Sequence, residues 1–153
     1  MIVFFGAPYM QYFSPEAGVE NEHRERIDKM MSVFKNKPIT VYSAYARENW
    51  VADIDSPEDA VDYDFRAIER ADLLIAFLGD TTPSSGVILE IGFAAAQKKR
   101  ICLFHSTALD ALPFLIKGIH IWTEITFIEY TNDEDAYRKL WMLIDNEMKR
   151  VVP

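Results

Sequence analysis

Residues 72–99 read DLLIAFLGDTTPSSGVILEIGFAAAQKK. The first seven positions, DLLIAFL (72–78), are continuous and apolar after the leading aspartate. That is the pattern of a strand buried on both faces rather than one with alternating exposure. Gly79 to Ser85 reads as a turn, and VILEIGFAAAQKK then runs as a helix rich in small residues. A doubly buried strand handed straight to a helix is the building unit of a parallel sheet.

The same alternation extends outward in both directions. IVFF (2–5) is a short apolar run followed by Gly6 and Pro8, and ITVYS (39–43) reads as a second strand. Between them His23, Ile27, Met30, Met31 and Phe34 follow Val19 at helical spacing, until Asn36 and Pro38 end the pattern. Ser56-Pro57 opens another helix, with Ser as N-cap, Pro in the first turn and acids at 58 and 59. That helix carries Val61, Asp64 and Ile68 on one stripe. ICLFH (101–105) and ITFIEY (125–130) complete five strands, and Tyr137, Leu140, Trp141, Ile144 and Met148 mark a last helix. The expected fold is α/β: a doubly wound, mainly parallel five-stranded sheet with helices on both faces, flavodoxin-like or Rossmann-like. Neither repeat nor linker interrupts it, so residues 1–153 are expected to form a single domain. Sheets of this kind bind ligands at the carboxyl ends of their strands. Functional residues should therefore follow strands one, two and three.

Composition narrows the function classes. Half the residues are apolar and 13% aromatic, which excludes disorder. The apolar runs are too short to span a bilayer, and MIVFFGAP lacks the basic region and cleavage site of a signal peptide. A single cysteine, Cys102 within ICLF, fits a buried thiol in a reducing cytoplasm. The formal net charge of −8 repels a long polyanion, so DNA or RNA is not an expected partner. Lys98, Lys99 and Arg100 read as a favourable end to the preceding helix. A single small phosphate stays compatible with the charge, because backbone amides bind it without side-chain cations.

Ser84, Ser85 and Gly86 lead into the helix whose start faces the ligand edge, and its first free amides make an anion site. Ser85 alternatively serves only as an N-cap. Helical periodicity places Gly86, Glu90 and Ala94 on one face, so Glu90 either meets the ligand cleft or forms a structural pair. Asp64 is a second carboxylate, with Ala60, Val61 and Ile68 as apolar neighbours along its helix. An acid in such company needs a function or a partner, and Arg47 and Arg66 are the candidate partners. Partial burial there would suit a group that must hold a proton near neutral pH. Tyr9, Tyr12 and Phe13 in the first loop, and Tyr45, Arg47 and Trp50 in the second, could frame a flat heterocycle. Gly6, Tyr9, Arg47 and Trp50 are the expected substrate contacts from these loops. His23, His105 and His120 show no metal-ligand spacing, and neither a metal nor a cofactor is expected. The chain lacks the dinucleotide glycine fingerprint, the P-loop and the GxSxG elbow.

Taken together, FFGAPY, YDFRAIERADLLIAF and SSGVILEIGFAAA resemble the nucleoside 2-deoxyribosyltransferase superfamily. Through GAPYMQ, VYSAYARENW and SPEDAVDYD, over about residues 2–105, the chain is most similar to the cytidine monophosphate N-glycosidases of nucleoside-antibiotic pathways. The resemblance implies that Glu90 is the nucleophile, that Asp64 exchanges a proton with the leaving base, and that Ser84 contacts the 5′-phosphate. It also implies a homodimer or larger assembly. Two departures stand out. Met10 occupies the place of an arginine, and Pro113 that of a phosphate-binding serine lent by a neighbouring subunit.

The expected reaction is hydrolysis of a nucleoside monophosphate, with a pyrimidine such as CMP as substrate. The rivals are base exchange by the same intermediate and non-catalytic nucleotide sensing. The stretch Leu109–Ile128, with eleven apolar residues from Leu112 to Ile128 among others, is the expected interface; its alternative is burial within one chain.

Overall fold

The computed structural model describes residues 1–14, 16–49, 56–78 and 83–151. The chain runs β1 (Ile2–Gly6), β2 (Phe13–Ser14), β3 (Gly18–Val19), α1 (Asn21–Ser32), β4 (Thr40–Tyr42), α2 (Ala44–Arg47) and α3 (Pro57–Arg70). It continues through β5 (Leu73–Phe77), α4 (Ser85–Ala96), β6 (Arg100–His105), α5 (Phe114–Gly118), β7 (Ile125–Glu129) and α6 (Asp133–Val151). Five strands pair in parallel in the order β4-β1-β5-β6-β7. This is the 2-1-3-4-5 winding of the flavodoxin-like fold, as the alternation of strands and helices led us to expect.

The two faces of the sheet are read directly from strand alternation. Leu73, Ile75 and Phe77 point to one side with Val3 and Phe5, beneath Ile27 and Met30 of α1 and Leu140 and Ile144 of α6. Leu74, Ala76 and Leu78 point to the other with Phe4, beneath Ile68 of α3 and Val87, Ile91 and Ala94 of α4. Period-two alternation with both sides covered is why DLLIAFL has no polar residue after Asp72. The side chain of Asp72 accepts the Ile2 amide at 2.8 Å. Cys102 lies in the first of these layers, and burial pushes its thiol up to about 11.

Several local expectations shift. The first loop contains a short antiparallel hairpin, β2 with β3, and Val19 belongs to it instead of to the helix that follows. The second loop holds the short helix α2. Asn36 adopts φ +61, the left-handed conformation that ends a helical segment. Val61 is exposed, so the inward stripe of α3 runs through Asp64, Ala67 and Ile68. Ser56 caps α3 as expected, accepting from the Asp59 amide at 3.1 Å.

The basic run is consumed structurally. Lys98 donates to the Trp122 carbonyl, Lys99 to the Glu69 carbonyl, and Arg100 pairs with Glu147. The apolar stretch after β6 is partly exposed instead of fully buried. Phe114, Leu115 and Ile121 are 84%, 81% and 82% exposed, and with Trp122 they border one apolar hollow. Among the described residues, no helix is long and apolar enough to cross a membrane.

Candidate active site

The winding reverses at β1: the chain leaves it for β4 on one side, then crosses to β5 on the other. Open α/β sheets leave a crevice at the carboxyl ends of the strands flanking such a switch point. Here that crevice is a cleft of about 620 Å³. Its walls come from Ala7, Tyr9, Met10 and Gln11 after β1, from Ala44 and Glu48 after β4, from Pro57, Ala60 and Asp64 of α3, and from Pro83 to Val87 with Glu90 of α4.

Glu90 sits at the floor. It is 9% exposed, and its Oε2 atom has no hydrogen-bond partner. It approaches the end of β1 so closely that a Cβ placed on Gly6 would lie 2.3 Å from Oε2. Glycine at position 6 is therefore what leaves space for the carboxylate. Burial raises the Glu90 pKa well above the ordinary glutamate value, the charge of Asp64 raises it further, and Arg47 opposes both. Asp64 reaches the same cleft from α3. Phe65, its neighbour in sequence, stacks on Phe93 of α4 with centroids 3.8 Å apart and planes 10° from parallel. That contact fixes the helix bearing Asp64 against the helix bearing Glu90.

Around Asp64 runs a chain of polar contacts. Arg47 donates through Nη1 to Asp64 Oδ1 at 3.0 Å and through Nη2 to Glu48 Oε1 at 2.7 Å. The Tyr9 hydroxyl donates to Glu48 Oε2 at 2.6 Å. Burial, followed by that bond to Glu48, lifts the Tyr9 phenol far above its ordinary value, so it remains a donor. The Arg47 guanidinium also lies 4.4 Å above the ring of Tyr63. Of the two partners proposed for Asp64 on sequence grounds, Arg47 is the one found; Arg66 pairs with Asp62.

At the other end of the cleft, Ser84 is the N-cap of α4, and its Oγ accepts from Val87 N at 3.5 Å. Ser85 is the first helical residue, and Ser84, Ser85 and Gly86 all line the cleft. The amides of Ser85 and Gly86 begin a twelve-residue helix with its positive end toward the opening.

The structure thus gathers Gly6, Tyr9, Asp64, Ser84, Ser85, Gly86 and Glu90 around one cleft. Arg47 stands behind Asp64, engaged by two carboxylates, and Trp50 lies outside the described residues. Met10 is half exposed at the rim, whereas Pro113 caps α5 and does not line this cleft. The other rings of the two loops are used elsewhere. Tyr12 stacks on His23 at 3.7 Å, and Tyr45 is buried edge-on to Phe5 and Tyr9. Sequence reasoning passed over Glu48, which is buried and lines the cleft. Its available signal was an acid adjoining Arg47 just past the second strand. Among the described residues no three His, Cys, Asp or Glu side chains converge as a metal set.

The nucleoside 2-deoxyribosyltransferase family model matches residues 12–142. The chain belongs to this family. It is 26% identical over 118 residues to a putative 2′-deoxynucleoside 5′-phosphate N-hydrolase 1 of Thermofilum pendens, covering 74% of this chain and 80% of that protein. The CMP N-glycosidase BcmB of Clostridium botulinum superposes with a TM-score of 0.70 at 25% identity, covering 94% of this chain and 99% of the other. The solution structure of BlsM gives 0.76 at 27% identity, over 99% and 93%. The protein is accordingly an enzyme of the nucleotide N-glycosidase or deoxyribosyltransferase type, which sets aside the sensor alternative.

Proposed function

We propose that this enzyme hydrolyses the N-glycosidic bond of a nucleoside or deoxynucleoside 5′-monophosphate, with a pyrimidine nucleotide such as CMP as the substrate. The observation that carries the reading is Glu90: a buried carboxylate with one oxygen unpartnered, facing the end of β1 and close enough to Asp64 to feel its charge. A paired carboxylate would be spent on its partner, whereas this one keeps an unpartnered oxygen on a residue that lines the cleft.

Two carboxylates suffice for double displacement. Glu90 attacks C1′ as the bond from C1′ to the base nitrogen breaks, and Asp64 gives its proton to the departing base. Water then attacks C1′ of the glycosyl-Glu90 ester, passing a proton back to Asp64. Free base and (deoxy)ribose 5-phosphate are the products, and both carboxyls return to their starting state. The step needs one proton held between the two acids, on Asp64 when Glu90 attacks. The bond between Arg47 and Asp64, and the opposing fields on Glu90, are the features that would govern where that proton resides.

The phosphate belongs at the other end of the cleft, on Ser84, Ser85 and Gly86, where the start of α4 supplies amides and a positive dipole. Binding energy gained there is remote from the bond that breaks and can be used to orient it. Gly6 leaves room for the nucleophile, and Tyr9 lies along the cleft wall beside the sugar and base. CMP as substrate has support from the BcmB likeness, and the monophosphate from the Thermofilum relative's name as well. A reducing cytoplasm, where a buried thiol such as Cys102 persists, is the proposed compartment. We further propose a homodimer or larger assembly through the exposed apolar surface of Phe114, Leu115, Ile121 and Trp122.

Incubation with a panel of ribo- and deoxyribonucleoside monophosphates, followed by chromatography for free base, tests the reading. Release of base with one equivalent of sugar phosphate is expected. Base release only when a second base is present would make the enzyme a transferase. Absence of release with either would overturn the proposal.

A further inference from the structure

We propose that Glu48 is a positioning residue for the general acid: its carboxylate anchors Arg47, and through that guanidinium it sets where Asp64 points and how tightly Asp64 is held. The proposal rests on the reaction assigned above, with Asp64 protonating the leaving base.

Glu48 is a buried carboxylate that the two-carboxylate chemistry does not require. Burying such a group is costly without partners, and its two oxygens are taken by two different parts of the cleft. Oε2 accepts from Tyr9, which belongs to the loop after β1. Oε1 accepts from Arg47, whose other terminal nitrogen reaches across to Asp64 on α3. A guanidinium is a planar fork, so fixing one prong fixes the direction of the other. The Tyr63 ring beneath it removes a further degree of freedom. One residue therefore ties three segments, the β1 loop, α2 and α3, into a single frame around the acid.

Charge gives Glu48 a second role. Arg47 alone beside Asp64 would present it with an uncompensated cation and favour its ionised form. Paired with Glu48, Arg47 presents a dipole of zero net charge. Asp64 then has an oriented hydrogen bond without the full penalty against carrying a proton. An acid that must be protonated to act gains from this arrangement.

The test separates proton donation from general integrity by varying the leaving group. Two substrates are compared: CMP, whose base leaves with a proton, and 4-nitrophenyl ribofuranoside 5-phosphate, whose nitrophenolate leaves without one. Glu48→Gln keeps the size and removes the charge. For CMP, kcat should fall by roughly tenfold or more, as part of the hundred- to ten-thousandfold that general acid catalysis supplies. KM should stay within about twofold, because ground-state binding is untouched. The pre-steady-state burst of nitrophenolate should form at the wild-type rate, because Asp64 acts on that substrate only in the later hydrolysis of the glycosyl-Glu90 ester. Glu48→Asp, which keeps the charge but shortens the reach to Arg47, should show a smaller loss in CMP turnover with the nitrophenolate burst unchanged. It also decides the matter should Glu48→Gln fail to fold.

An equal loss in CMP turnover and in the rate of the nitrophenolate burst would overturn the proposal, since that is the mark of a merely structural residue. A change in KM alone would overturn it in favour of a contact to the base. Unchanged rates in both variants would overturn it outright. Failure of the wild-type enzyme to cleave CMP or any other nucleotide would instead fall on the parent reading, and is seen before any variant is made.

Discussion

Gly6→Ala places a single methyl group against the nucleophile. The added Cβ would sit 2.3 Å from Glu90 Oε2 and 3.5 Å from its Cδ, with the Phe4 ring next at 3.8 Å. Since real Cβ contacts do not fall below 3.0 Å, the carboxylate must retreat by about 0.7 Å. The backbone does not object, because Gly6 ends a strand and is not among the positive-φ glycines. Alanine even lowers the entropy of the unfolded chain, a gain of about 0.4–1 kcal/mol. Against it stands a strained Glu90 rotamer or local overpacking, about 1–3 kcal/mol. The net change in stability is a loss of at most about 2–3 kcal/mol, so the variant should fold. Catalysis is far more sensitive, because an offset approaching 1 Å in a reacting group can remove about a hundredfold of rate. Thermal unfolding followed by circular dichroism, set beside kcat for base release, provides the comparison. A folded Gly6→Ala enzyme with wild-type kcat would refute the placement of Glu90 as the attacking group.

Three further outcomes follow from the same geometry. Glu90→Gln should abolish base release and also change how stability depends on pH. Because the folded pKa of Glu90 is raised, its stabilising proton is fully bound below the ordinary value of 4.5 and is lost as pH rises toward the folded value. The wild type should therefore lose stability relative to Glu90→Gln as pH increases through that range; parallel Tm profiles would count against a buried, protonated Glu90. Ser84→Ala should raise KM for nucleoside monophosphates by the equivalent of about 1–3 kcal/mol and leave the matching nucleosides unaffected. Equal wild-type activity on cytidine and its monophosphate would remove the anion site at the start of α4. Light scattering at micromolar concentration should show a dimer or larger, and Leu115→Asp should dissociate it; an active wild-type monomer would disprove the assembly.

Much of this architecture is legible in the amino-acid sequence. The doubly buried strand at 73–77, the cap at Ser56 and the helical spacing of Tyr137 to Ile144 are local matters, whereas the cap of α4 falls on Ser84 and not on Ser85. Each depends on neighbours within one or two turns, and hydrophobic periodicity reports such neighbours faithfully. The face of α4 that carries Glu90 was legible for the same reason. Where local reasoning slipped, the cause was a tertiary contact: Val61 keeps helical spacing, yet α3 turns Asp64, Ala67 and Ile68 inward instead. The hairpin of β2 with β3 has two residues per strand, too few to give an alternation that can be recognised.

The amino-acid sequence by itself determined the order of strands and helices, the burial of the sheet on both faces and the two acids most worth suspecting. Those follow from covalent neighbours and the solvent preference of each side chain. Only the tertiary structure decided what lies across the cleft. Strand order β4-β1-β5-β6-β7 brings the end of β1 beside β5, and so sets Gly6 against Glu90, 84 positions later in the chain. It likewise made Arg47 the partner of Asp64 and joined Glu48 to Tyr9. A charge in a sequence carries no label naming its counter-charge, because Coulomb and hydrogen-bond energies depend on separation in space. Until the sheet is wound, those separations do not exist.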